Sequence, residues 1–233
     1  MILPTQADRI NIDEHKPIAD LEKRLIFSTE VAWQEESIRR LFREGNGESL
    51  AYLAHPNCLF FVSDNIGCLI RRGIYEPALV ASYSGSDSNL SNWSLPVLES
   101  LFECGDSAKL QACGAPLPAG NPIRIYRGVA GVGRARRARG ISWTLDLDVA
   151  CWFALRYSSF LPDPAVFEAE LLPQQVFCRI LDRGEDEIIA RPSRFRRVRL
   201  GNEEMIERHA RMDKLMKEGW QRLIHKPKGR NIE

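Results

Sequence analysis

The 233-residue chain is 44% hydrophobic and 27% charged with a formal net charge of +1, the balance of an ordinary soluble globular protein with enough chain for one good core or two small ones. It holds no apolar run of about 18 residues, which argues against a membrane span and a membrane partner, and its start, MILPTQADRINIDEHKP, lacks the basic stretch and apolar segment of a secretory signal. The expectation is a cytoplasmic protein.

Cysteines stand at 58, 68, 104, 113, 151 and 178, and histidines at 15, 55, 209 and 225. Neither set has the spacing of a zinc site, so reduced, buried thiols and no bound metal are expected. Charge is uneven along the chain. Residues 1–120 hold ten Lys and Arg against sixteen Asp and Glu, a formal −6; residues 121–233 hold 22 against 15, a formal +7. Every basic residue between 123 and 200 is Arg. Arginine offers a planar fork to phosphate or carboxylate where lysine offers a point charge. A basic half therefore suits a polyanion or an acidic partner, and it equally suits a solvated surface balanced by the acidic half.

In chain order, residues 29–44 (TEVAWQEESIRRLFRE) predict a helix with Val31, Ile38, Leu41 and Phe42 near one face. GNG at 45–47 stops it. Residues 48–54 predict a short helix ended by His55-Pro56, and CLFFV at 58–62 is either a strand or a buried helix. Polar residues 84–93 read as a loop. Residues 94–103 predict a helix opened by Ser94, with Pro96 tolerated in the first turn. GAPLPAGNP at 114–122 is a loop and the junction between two differently built halves.

The second half changes character. IRIYRGV (123–129) predicts a strand, GVGRARRARG (131–140) a connection and ISWT (141–144) a short strand. Asp146 caps a helix running to about Tyr157, with Val149, Cys151, Trp152, Phe153 and Leu155 as its apolar content. AVFEAELL, QVFCRIL and EDEIIA follow as three strands. Residues 201–217 predict an amphipathic helix with Met205, Ile206, Met212, Leu215 and Met216 toward the core.

One residue in the first of these strands raises a question. Alternation puts Arg127 on the same face as Ile123 and Ile125. A guanidinium there needs a carboxylate, a phosphate or several carbonyls, because an unpaired buried charge costs roughly several kcal/mol.

Three motifs then lie in order: IYRG ending a strand, ISWTLDLDVACWFA as a hydroxyl-bearing strand running into a helix, and RGEDEIIA as an acidic turn entering a strand. Over residues 121–190 this resembles the arginine-serine-glutamate class of ADP-ribosyltransferases. The resemblance implies a single α+β domain over 1–233 with an ADP-ribosyltransferase-like split, mainly antiparallel β core. Residues 1–120 would be the helical part, 121–200 the NAD-binding strand core and 201–233 a C-terminal helix and tail. It implies NAD as substrate and release of nicotinamide. Glu187, the second acid, would stabilise positive charge on the ribose, and Arg127 would hold a cofactor phosphate or ribose. Ser142 would hydrogen-bond Glu187 and fix its rotamer; Glu185 would position the acceptor. Asp186 would face away and take no catalytic part. Gly128, Trp143, Thr144 and Phe153 would complete the NAD site. Trp143 departs from the family's usual serine-rich triplet, and the family's aromatic before that triplet is replaced by Gly140-Ile141. The ring that stacks on nicotinamide is therefore left open among Trp152, Phe153 and Tyr157.

The chemistry asks for these residue types. Cleaving ribose from nicotinamide builds oxocarbenium character on the sugar, and a fixed carboxylate stabilises it. In relatives a glutamate at the first acidic position goes with arginine acceptors, so a protein arginine is favoured. The Arg clusters at 134–139 and 191–199, the latter with Phe195 able to stack on a base, keep RNA or DNA open. By family analogy the chain would be a bacterial or phage effector of toxin or anti-phage type, with a possible antitoxin. The alternatives are an NAD glycohydrolase and a non-enzymatic nucleic-acid-binding module.

Overall fold

The computed structural model describes residues 17–29, 31–53, 58–86, 93–133, 136–156, 158–181 and 185–224. The first half is helical. It runs α1 (Ile18–Glu22), α2 (Glu35–Glu44), α3 (Gly47–Leu53), α4 (Cys58–Asp64), α5 (Ile66–Arg72), α6 (Tyr75–Ser84), α7 (Leu95–Cys104) and α8 (Ser107–Ala112). The second half holds β1 (Ile123–Val129), β2 (Ser142–Thr144), α9 (Leu147–Leu155), β3 (Ala165–Leu171), β4 (Val176–Ile180), β5 (Glu187–Ala190), β6 (Arg196–Arg197) and α10 (Asn202–Ile224). The protein is therefore α+β, with one antiparallel six-stranded sheet in the order β4-β5-β2-β1-β3-β6.

Helix α2 buries Ile38, Leu41 and Phe42, the stripe read from the sequence, and ends at Gly45 with φ 76°, a left-handed turn that favours glycine. CLFFV resolves to helix α4, and its Cys58, Leu59, Phe61 and Val62 are all buried. Helices α1, α5, α6 and α8 escaped the sequence reading. The ten residues of α6 bury seven side chains, and a helix enclosed on nearly all sides carries no amphipathic stripe. Two buried polar side chains in this half are satisfied by the main chain. Asn65 exchanges hydrogen bonds with the main chain of Ile26 (2.7 and 2.9 Å), and the Tyr75 hydroxyl donates to the Leu101 carbonyl at 2.7 Å.

The helical core continues into the sheet through Ile141, Cys178, Ile180 and Ile189. A second core joins Ile123, Ile125, Trp143, Ala169, Leu171, Val176, Ile188 and Ala190. Residues opposite one another in neighbouring antiparallel strands share a face. Trp143 pairs with Ile188, whereas Ser142 pairs with Ile189 and Thr144 with Glu187. Period-2 alternation thus sends Trp143 into the second core and turns the hydroxyls at 142 and 144 the other way. This accounts for a tryptophan in the middle of the triplet.

Helix α9 begins where expected: the Asp146 side chain accepts from the Asp148 backbone N–H at 2.7 Å. It packs on β1, on β3 through Val166 and on α10 through Met205, with Ala150, Cys151 and Ala154 on its own buried face. On α10, Met205 and Met212 are buried, while Ile206 and Leu215 are 57% and 60% exposed. The expectation that those two face the core is corrected. The i, i+3, i+7 spacing directs positions 205, 208 and 212 at α9, and 206 is turned about 100° away from 205. Likewise the thiols are not all buried: Cys113 is exposed and Cys68 half-buried, while the other four are enclosed. Burial pushes the Cys58 and Cys151 thiols up to about 12. No helix among the described residues is long and apolar enough to cross a membrane.

Candidate functional site

A cleft of about 260 Å³ is lined by Tyr126, Arg127, Gly128, Ser142, Trp143, Thr144, Phe153, Glu185 and Glu187. Arg127, Gly128, Ser142, Trp143, Thr144, Phe153, Glu185 and Glu187, the residues assigned to the NAD site from the sequence, meet there, although they come from β1, β2, α9 and the entry and start of β5. Two glycines make the approach possible. At Gly128 a Cβ would collide with the Ala150 carbonyl, so α9 rests directly on the β1 backbone. At Gly140 a Cβ would strike the Arg127 guanidinium, so that group lies flat against the chain just before β2.

The contacts of Arg127 answer the question its position raises. Its guanidinium donates to the Ser142 carbonyl, and more loosely to that of Arg137 at 3.4 and 3.5 Å. Enclosure pulls its pKa down, and the neighbouring Tyr83 and Glu187 push it back up. It remains a cation beside the Glu187 carboxylate.

Glu187 is 8% exposed. The Tyr83 hydroxyl, at the end of α6, donates to its Oε1 at 3.2 Å. Burial, and secondly the Glu187 charge, hold the Tyr83 phenol well above its ordinary value, so it keeps its proton and acts as a donor. A phenol has one proton to give and lone pairs to accept with. Ser142 stands close enough to the Tyr83 hydroxyl to oppose the rise in its pKa, so Ser142, Tyr83 and Glu187 are gathered together. Tyr83 was missed in the sequence because it lies in the helical half among buried aromatics; its ring meets Phe102 edge-on at 5.3 Å.

Glu185 and Asp186 precede β5, which begins at Glu187. The expectation that the strand opens at Glu185 is corrected. Asp186 has φ 43°, a left-handed backbone in which aspartate is tolerated. Its carboxylate turns from the cleft to a bidentate pair with Arg179, at 2.6 and 2.9 Å. The Thr144 hydroxyl donates to the Glu185 carbonyl at 2.7 Å and accepts from the Asp146 N–H at 3.1 Å. Thr144 therefore fixes the backbone that presents Glu185.

Of the aromatic candidates, Phe153 lines the cleft, with its ring edge-on to Trp152 at 5.1 Å. Trp152 stacks under the Arg156 guanidinium at 5.0 Å, and Tyr157 lies outside the described residues. Tyr126 is a second aromatic on the cleft wall that the sequence reading passed over. Trp143 contributes to the wall from the second core, its indole N–H donating to the Gly140 carbonyl at 2.8 Å. Among the described residues no three His, Cys, Asp or Glu side chains converge as metal ligands.

A larger cavity of about 560 Å³ adjoins this cleft and shares Trp143 with it. Comparison of the chain with family models, with curated proteins and with solved structures finds no match.

Proposed function

We propose that the protein is an NAD-dependent mono-ADP-ribosyltransferase that moves ADP-ribose to a macromolecular acceptor and releases nicotinamide. One observation carries this reading: Arg127, Ser142, Glu185 and Glu187, from separate strands and turns, line a single cleft, with Glu187 enclosed beside the Arg127 cation. On this reading the antiparallel sheet is the split core of an ADP-ribosyltransferase-like fold. The bond between the ribose C1 carbon and the nicotinamide nitrogen breaks with its electron pair going to the ring nitrogen. The Glu187 carboxylate stabilises the resulting oxocarbenium as a preorganised charge. Arg127 holds phosphate or ribose oxygen, Phe153 supplies a flat face for nicotinamide, and Glu185 orients the acceptor nucleophile and takes its proton. Trapping of the same intermediate by water would make the protein an NAD glycohydrolase. By resemblance alone, the biological role is that of an effector or toxin acting inside a cell.

The test is incubation of the purified protein with NAD, alone and with cell lysate, while free nicotinamide and labelled ADP-ribose on macromolecules are followed. Nicotinamide release that depends on Glu187 is expected. No release under either condition overturns the enzyme reading and leaves a non-enzymatic binding module.

A further inference from the structure

We propose that the second cavity, about 560 Å³ in volume, binds single-stranded nucleic acid. That this strand is the acceptor rests on the transferase reading above. Its lining includes Leu95 and Pro96 at the start of α7, Trp143 and Phe195, the arginines Arg139 and Arg191, and one carboxylate, Glu99, which Arg191 neutralises at 3.4 Å. Phe195 is braced by two rings, Trp143 at 5.9 Å and Phe167 edge-on at 5.6 Å, and stays partly exposed. A partly exposed aromatic in a cavity that also carries arginine is a platform for a base, and every base has a face to offer it.

The arginines around it sort into two kinds. Arg191 pairs with Glu103 at 2.6 Å and Glu99 at 3.4 Å, Arg196 with Glu168 at 2.6 Å, and Arg136 and Arg197 with Asp163. Arg139 and Arg194 are exposed, and among the described residues neither has a carboxylate partner. Arg139 lines the cavity and Arg194 directly precedes Phe195 in the chain, both free to meet phosphate. The Arg191–Glu103 pair is a surface pair of small net strength, which a phosphate can displace. An acidic protein surface would satisfy the free arginines and leave the aromatic cavity unused; a nucleic-acid strand satisfies both.

Placement links this cavity to the cleft. Gly140 lines the cavity and also bears the Arg127 guanidinium, and Trp143 borders both spaces. From Glu187 to Arg191 the chain advances about 13 Å at strand rise, a span covered by a few nucleotides. In the transfer step, a lone pair on a base nitrogen or a ribose hydroxyl of the bound strand forms the new bond to C1. The proton it loses passes to the Glu185 carboxylate, and the nicotinamide leaves with the electron pair of the broken bond.

The experiment titrates the full chain into fluorescein-labelled single-stranded RNA and DNA of about 12 nucleotides, without NAD, between about 50 and 200 mM salt. Binding that weakens as salt rises is expected. Arg139→Ala and Arg194→Ala should each flatten the log–log slope by about 0.7. Phe195→Leu should keep the slope and weaken binding by about 5-fold or more. If Phe195→Leu fails to fold, judged by its melting curve, the two exposed arginine variants carry the test. Absence of binding at low salt overturns the proposal, as does binding indifferent to the arginine variants. Displacement of the oligonucleotide by NAD or ADP-ribose also overturns it, assigning the cavity to the cofactor. Because binding is read without NAD, it stands or falls apart from the transferase reading.

Discussion

The Tyr83 hydroxyl donates to Glu187 at 3.2 Å across 104 residues of sequence. The bond ties the end of α6, in the helical half, to the first residue of β5 in the sheet. A carboxylate enclosed in protein needs donors to stay charged, and a protonated phenol locked by Phe102 supplies one without competing for the proton. The helical half therefore does more than cover the sheet: it sets the direction of the acid on which the proposed chemistry depends. Tyr83→Phe removes this donor and keeps the ring packing. On the transferase reading it lowers nicotinamide release by about 10- to 100-fold, the worth of one hydrogen bond to a charged group, with the melting temperature little changed. Wild-type turnover in this variant would show that the hydroxyl is only core filling.

Glu187→Gln keeps the shape and the acceptor for Tyr83 but removes the charge. NAD turnover should fall by at least about 100-fold with folding retained. A Gln variant that turns over NAD at the wild-type rate takes the oxocarbenium role away from Glu187.

Glu185→Gln separates transfer from hydrolysis. Glu185 is presented at the cleft mouth by a carbonyl bonded to Thr144 at 2.7 Å, while the Tyr83–Glu187 contact is made elsewhere. Loss of label transfer should exceed loss of NAD hydrolysis. An equal fall in both would place Glu185 with the cofactor instead of the acceptor.

What the sequence made legible follows from where each signal sits. The strand around Arg127, the cap at Asp146 and the stripe on α2 are local patterns, set by alternation, side-chain capping and helical period, and all three stand in the structure. Tyr83 was illegible because its partner lies 104 residues away and its helix is apolar on nearly all sides. The cavity was half legible: Phe195 stood out among its arginines, but Leu95 and Pro96 come from the other half of the chain. The start of β5 was misplaced because Asp186 departs from extended geometry to meet Arg179, which period-2 reasoning has no means to register.

Gly128 is required by close packing. Any side chain there meets the Ala150 carbonyl and the Ala154 amide of α9. Gly128→Ala should push α9 from β1, carry Phe153 with it, and cost about 1–3 kcal/mol as overpacking does. The melting temperature should drop by roughly 2–4 °C per kcal/mol. A variant as stable as wild type would mean that α9 can lift off β1 freely and does not set the cleft wall.

Asp148 pins α10 to α9, and its titration gives the pH dependence a sign. Its carboxylate accepts from Arg208 at 2.6 Å and from Arg211 at 3.0 and 3.2 Å, with Glu204 also paired to Arg208 at 3.0 Å. Burial pushes the Asp148 carboxyl up, but the hydrogen bonds from Arg211 and Arg208 together outweigh it and hold it below its ordinary value. A folded-state pKa below the unfolded one, about 3.9, means that the unfolded chain binds the proton first. The stabilisation is therefore complete well above pH 4 and is lost as pH falls from there through the folded value. Asp148→Asn should cost about 1–3 kcal/mol at neutral pH. Thermal melts of both proteins at pH 7 and near pH 3 should show that gap narrowing in acid, because protonation has already weakened the wild-type pair. A gap as wide in acid as at neutrality would mean that Asp148 holds α10 by packing and not by charge.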